Sequence, residues 1–102
     1  MKKAASISSK KIMELIEEQN FRCALSDRKL TPETASLDHI IPLSRGGSHE
    51  IDNLWVVEHL VNSAKGTMTV DEFIAMCSDV TSHQNLANSA NEHRYLGKNS
   101  SL

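Results

Sequence analysis

The stretch SLDHIIPLSRGGSHEIDNLWVVEHLVNSAKG, residues 36–66, decides how this chain is read. Its first part, with Ala35 before it, is apolar and β-prone up to Pro42, which predicts a strand. SRGGSHEIDN follows as a loop, with Gly46-Gly47 free to adopt backbone angles that other residues resist. NLWVV predicts a second strand, with Trp55 in its core face. EHLVNSAKG predicts a short helix stopped by Gly66, with Lys65 well placed against the negative end of the helix dipole. Strand, long loop, strand and helix can fold as a hairpin crossed by the helix. That arrangement brings Asp38 and His39, at the end of the first strand, toward Asn62 on the helix.

Outward from this stretch, Ile12, Leu15, Ile16 and Gln19 share one face of a helix predicted over residues 9–20. Phe21, Cys23 and Leu25 alternate with polar or small residues and predict a short strand, followed by a turn at Ser26–Lys29. Beyond Gly66, Thr69 and Glu72 form a capping box ahead of a packing helix over residues 69–82. Residues 83–102 are polar, rich in Asn and Ser, and predict a tail with at most a weak helix from Leu86 to Tyr95. His83 and His93 are expected at the surface.

The length of 102 residues suits one domain with a modest core. A hydrophobic share of 39% and a charged share of 24% fit a folded chain rather than a disordered one. No apolar run approaches the roughly 20 residues that span a bilayer. The opening Met-Lys-Lys has no apolar stretch behind it, so no export signal and a cytoplasmic location are expected. In that compartment Cys23 and Cys77 are expected as two buried thiols, with Cys23 in the core. The net charge of −2 argues mildly against a nucleic-acid binder, although Arg22, Arg28, Lys29, Arg45 and Lys65 could form a local basic face.

Core packing does not call for Asp38-His39, Asn53, Asn62 and Lys65 in this order. Phosphodiester cleavage does. Water must lose a proton, and a histidine near its reference pKa of about 6.5 is a natural base. The leaving oxygen needs positive charge, and a hard divalent ion takes oxygen ligands such as a carboxylate and an amide. The run LDHIIPLSRGG…IDNLWVV…N.AKG resembles the HNH endonucleases of the ββα-metal group. The resemblance implies an α+β fold, a ββα-metal finger flanked by N- and C-terminal helices, in one nuclease domain over residues 1–102 with its catalytic core at 21–66. It implies a metal-dependent DNA endonuclease that nicks one strand of duplex DNA. His39 would be the general base, and Asp38 and Asn62 would hold Mg²⁺ or Mn²⁺. Asn53 would bond across the loop to aim His39, and Lys65 would sit by a phosphate. Arg45 and His49 in the loop would touch DNA.

Two departures from the family pattern matter. Asn62 stands where many members have His; the HNH domain of CRISPR-guided nucleases looks like this Asn variant, and an amide oxygen favours hard ions over Zn²⁺. The two CxxC pairs of many small members would fall at Cys23 with Ser26 and at Glu58 with Val61, so a structural four-cysteine zinc site is not expected. His59 shares the helix face of Asn62 and is expected partly buried. The alternative reading is a non-catalytic nucleic-acid-binding module that keeps the ββα shape.

Overall fold

The computed structural model describes the backbone of residues 6–100 and the side chains of residues 6–87. Two compact units are present, residues 1–70 and residues 71–102. The first holds helix α1 (Ser9–Glu18), strand β1 (Ala35–His39), strand β2 (Leu54–Glu58) and helix α2 (His59–Lys65). The second is made by helix α3 (Val70–Ser100), which starts at the end of the first. The architecture is α+β, a ββα finger with flanking helices. Among the described residues no helix is long and apolar enough to cross a membrane.

Helix α1 starts where Ser8 accepts a hydrogen bond from the Lys11 amide, which satisfies one of the free N–H groups of the first turn. Its half-buried Ile12, Leu15 and Ile16 pack against a core of Cys23, Leu30, Val56 and Val57. Gln19 does something the apolar pattern did not suggest. Its side-chain amide donates to the Val56 carbonyl at 2.8 Å, and its Oε1 accepts from the Val56 amide at 2.9 Å. The side chain thus stands in for a neighbouring strand on the open edge of β2. Val56 is 1% exposed, so Gln19→Ala leaves a buried N–H without a partner. A loss of about 1–3 kcal/mol in unfolding free energy is expected in urea titration. A change below about 0.5 kcal/mol, the range of ordinary surface substitutions, would contradict this role.

The strands pair antiparallel, with Asp38 opposite Trp55 and His39 opposite Leu54. Helix α2 contacts both strands and α1 contacts β2, so β2 is covered on both sides: Leu54, Val56, Val57 and Glu58 are all buried. Gly66 ends α2, with φ +53° and its N–H bonded to the Asn62 carbonyl.

Two expected elements are corrected. Residues 21–25 do not form a strand. Asn20, Phe21 and Asp27 have φ of 55°, 60° and 62°, left-handed values that an extended segment cannot contain. The chain closes instead into a knuckle. A single bridge joins Arg22 to Lys29, and the Cys23 thiol accepts from the Ser26 and Glu58 amides. The second correction concerns residues 69–82, which are only the start of a helix that runs on to Ser100. No Pro or Gly interrupts the sequence between Val70 and Leu96, so nothing in the backbone stops the helix. Cys23 is buried as expected, but Cys77, expected buried, is exposed on α3. His83 is exposed, whereas His93 and Tyr95 have side chains outside those described.

Candidate active site

The site forms where β1 ends. Asp38 is 6% exposed and Lys65 has no exposed surface at all. The Lys65 ammonium lies 3.2 Å from Asp38 Oδ2 and 3.5 Å from Oδ1. It also donates to the His39 carbonyl at 3.0 Å. Trp55, directly across the ladder, donates its indole N–H to Asp38 Oδ2 at 2.7 Å. A half-buried indole N–H still favours an acceptor, and here the directly opposite cross-strand neighbour supplies it. Asp38 is therefore held by three contacts from two residues.

His39 follows Asp38 and is half-buried. Its Nε2 lies 2.8 Å from Nδ1 of His49, with ring centroids 5.1 Å apart and the planes tilted by 41°. Asn62 donates its side-chain N–H to Ser36 Oγ at 2.7 Å, a bond that does not use its Oδ1. Asp38, His39 and Asn62 border one open hollow of about 330 Å³, together with Pro42, Ser44 and Thr67. Adjacent strand residues face opposite ways. Here β1 stops at His39 and the chain bends at Ile40 and Ile41, so both side chains reach the same hollow.

The loop between the strands is organised by Asn53, which is 8% exposed. Its Oδ1 accepts from the Ile41 amide at 2.9 Å, and its Nδ2 donates to the carbonyls of Ile41 at 3.0 Å and Ser48 at 2.7 Å. The loop's two glycines serve different needs. Gly46 has φ +91° and adopts the left-handed form after a single 3₁₀ turn. Gly47 makes room: a Cβ there would lie 1.8 Å from the Ile41 carbonyl oxygen and 2.9 Å from Asn53 Nδ2.

Several sequence-predicted positions differ from expectation. Lys65 is not at a phosphate-facing surface, because α2 carries its ammonium inward onto Asp38. His59 is exposed at the start of α2 rather than partly buried. His49, expected on DNA, lies on the ring of His39. Arg45 reaches the Thr67 carbonyl at 3.3 Å and so ties the loop to the segment after α2. Trp55 packs against the core cluster as expected, but its indole N–H also makes it a partner of Asp38, which counting the hairpin register would have found.

The knuckle holds the first of the missing CxxC positions, Cys23 and Ser26, and the second, Glu58 and Val61, lies where β2 passes into α2. Burial pushes the Cys23 thiol pKa up, but the hydrogen bonds from Ser26, Glu58 and Leu25 outweigh this and leave it below the ordinary thiol value. Glu58 is buried with Arg28 Nε at 3.1 Å from its Oε1, yet that oxygen takes no aligned hydrogen bond. The contact is one of charge rather than of direction. Val61 packs on the core cluster that contains Cys23.

The HNH endonuclease family profile matches residues 23–78, more than half of the chain. A solved structure described as that of a type II restriction endonuclease superposes with a TM-score of 0.54 at 19% identity. The match covers 81% of this chain and 43% of that one, so the chain spans less than half the length of that protein. At this identity the likeness concerns the fold. No curated protein matches the chain.

Proposed function

The chain belongs to the HNH endonuclease family, and on that premise we propose that it hydrolyses phosphodiester bonds in duplex DNA with a divalent ion, nicking one strand per site. The observation that carries the reading is the convergence of Asp38, His39 and Asn62 on one hollow. Asp38 and the Asn62 amide oxygen would hold the ion. These donors fit: both are oxygens, and the Asp38 carboxylate already faces a cation, the Lys65 ammonium. Such a set suits Mg²⁺ or Mn²⁺. Among the described residues no three His, Cys, Asp or Glu side chains gather as a ligand set, so water and phosphate oxygens would complete the shell. When bound, the ion supplies positive charge to the phosphate and to the departing 3′ oxygen.

The protein's own residues do the rest. His39 takes a proton from water, and the O–H electron pair becomes the new bond to phosphorus. The bond to the 3′ oxygen breaks, its electron pair stays on that oxygen, which takes a proton from solvent water, and 3′-hydroxyl and 5′-phosphate ends result. Lys65 and Trp55 hold the Asp38 carboxylate in place. Lys65 also fixes the backbone of His39, and Asn53 fixes the loop that closes the hairpin. Arg45, exposed on that loop, is a candidate for DNA contact.

The rival reading is a binding module without catalysis, which the net charge of −2 does not favour as a nucleic-acid binder either. Mn²⁺ separates the two. An enzyme of this kind should melt at a higher temperature in Mn²⁺, by a few degrees at concentrations well above Kd. Asn62→Ala should remove most of that rise. Its own structural cost is about 1 kcal/mol, since the side chain makes one bond to Ser36. No Mn²⁺ effect on the unaltered protein, together with intact DNA binding, would favour the binding module.

A further inference from the structure

We propose that His49 is the positioning residue of the candidate base: its Nδ1 accepts the Nε2 proton of His39 and thereby leaves His39 Nδ1 bare. This rests on His39 being the base. The two nitrogens lie 2.8 Å apart, so between neutral rings one proton is shared and two arrangements exist. If His49 Nδ1–H donates, His39 carries its proton on Nδ1 and spends its Nε2 lone pair on the bond. No lone pair is then left for water. If His39 Nε2–H donates, Nδ1 keeps a free lone pair. Only the second arrangement makes His39 a base.

The same contact strengthens during the reaction. When Nδ1 takes a proton from water, His39 becomes an imidazolium that still donates Nε2–H to a neutral acceptor. A charge-assisted hydrogen bond is roughly twice as strong as a neutral one. An interaction that is stronger in the transition state than in the ground state raises the rate of the chemical step. The 41° tilt and 5.1 Å centroid separation are those of rings joined edge to edge rather than stacked.

The fold delivers His49 to this place. Buried Asn53 donates to the carbonyl of Ser48, the residue before it, and Gly47 gives Asn53 room to do so. His49 is itself half-buried. The Asn53 clamp thus places both ends of the histidine pair, one through Ile41 and one through Ser48.

The test uses the full chain in saturating Mn²⁺ with supercoiled plasmid, comparing His49→Ala, His49→Asn and His39→Ala. His49→Ala should lower kcat about 10- to 100-fold, a fraction of a full acid–base contribution, with KM and Mn²⁺ affinity within about 2-fold. His49→Asn should recover most of the loss, because its amide oxygen can occupy the place of Nδ1 and accept. Imidazole ¹⁵N NMR of the metal-free protein should show His39 as the Nε2–H tautomer in the unaltered chain and in His49→Asn, and a mixture in His49→Ala. An Nδ1–H tautomer in the unaltered protein overturns the proposal. So does an inactive His39→Ala beside a fully active His49→Ala, or a rise in KM alone, which would make His49 a DNA contact. An active His39→Ala would instead remove the base assignment on which the proposal stands.

Discussion

Asp38→Ala is expected to cost about 3–5 kcal/mol of folding stability, before any effect on chemistry. Lys65 is completely buried, and among the described residues Asp38 is the only carboxylate within ion-pairing distance of its ammonium. Without it the charge keeps one carbonyl, that of His39. An unpaired buried ammonium is among the most destabilising groups a small domain can contain. For a chain of this size the melting temperature should fall by roughly 15–30 °C. Thermal unfolding of a four-member cycle checks the cause. Asp38→Ala with Lys65→Met should be more stable than Asp38→Ala alone, because the second change removes the stranded charge. Lys65→Met alone leaves a buried carboxylate bonded to Trp55, and Mn²⁺ should restore more of its stability than it adds to the unaltered protein. A melting temperature for Asp38→Ala within a few degrees of the unaltered protein would contradict the pairing. The pair also means that activity lost in Asp38→Ala does not by itself identify a metal ligand, which is why Asn62 is the better probe.

Gly47→Ala is the second large effect. The added methyl would overlap the Ile41 carbonyl and crowd Asn53 Nδ2, and both belong to the clamp. Backbone cannot yield as a flexible side chain does, so the loop must move and Asn53 must lose bonds. Overpacking and lost hydrogen bonds together suggest about 2–4 kcal/mol. Gly46→Ala is the control, since a Cβ there meets nothing within 4 Å. Its cost is the left-handed φ, roughly 1–2 kcal/mol. Chemical denaturation should rank Gly47→Ala clearly below Gly46→Ala. Nicking should fall at least 10-fold in Gly47→Ala, as expected when a base is misplaced by about 1 Å. Equal stability of the two variants would contradict the close approach. Asn53→Ala combined with Gly47→Ala should cost less than the two separately, because both break one clamp.

Residues 36–66 carried most of the legible information. The apolar runs on either side of the loop, punctuated by Pro42 and Gly66, mark β1, β2 and α2, since strand and helix signals there do not compete. The run at Phe21–Leu25 misled because three alternating apolar residues cannot distinguish a strand from a knuckle. Its outcome was set by left-handed Asn20, Phe21 and Asp27, and by a thiol that takes backbone N–H groups from two places. The tail misled for the opposite reason: Asn and Ser are weak helix formers, but α3 contains no Pro and its one glycine, Gly97, comes only in the last turn.

At the site, spacing along the chain identified which residues to watch but not which way they point. Lys65 lies one turn after Asn62, a position that suits either the surface or the interior. Only the third dimension turns its ammonium onto Asp38. The contact of His49 with His39 depends on the path of the whole loop, which no local pattern encodes. Trp55 was within reach of sequence reasoning, because the register that pairs it with Asp38 follows once the hairpin is accepted.

The most direct test of the central claim is cleavage of supercoiled plasmid in Mn²⁺ by the unaltered protein and by His39→Ala, purified identically and shown by melting to bind Mn²⁺ alike. The unaltered protein should form relaxed circles first, and His39→Ala should leave the plasmid supercoiled, a loss of about 100-fold or more. Equal cutting by both proteins would contradict it.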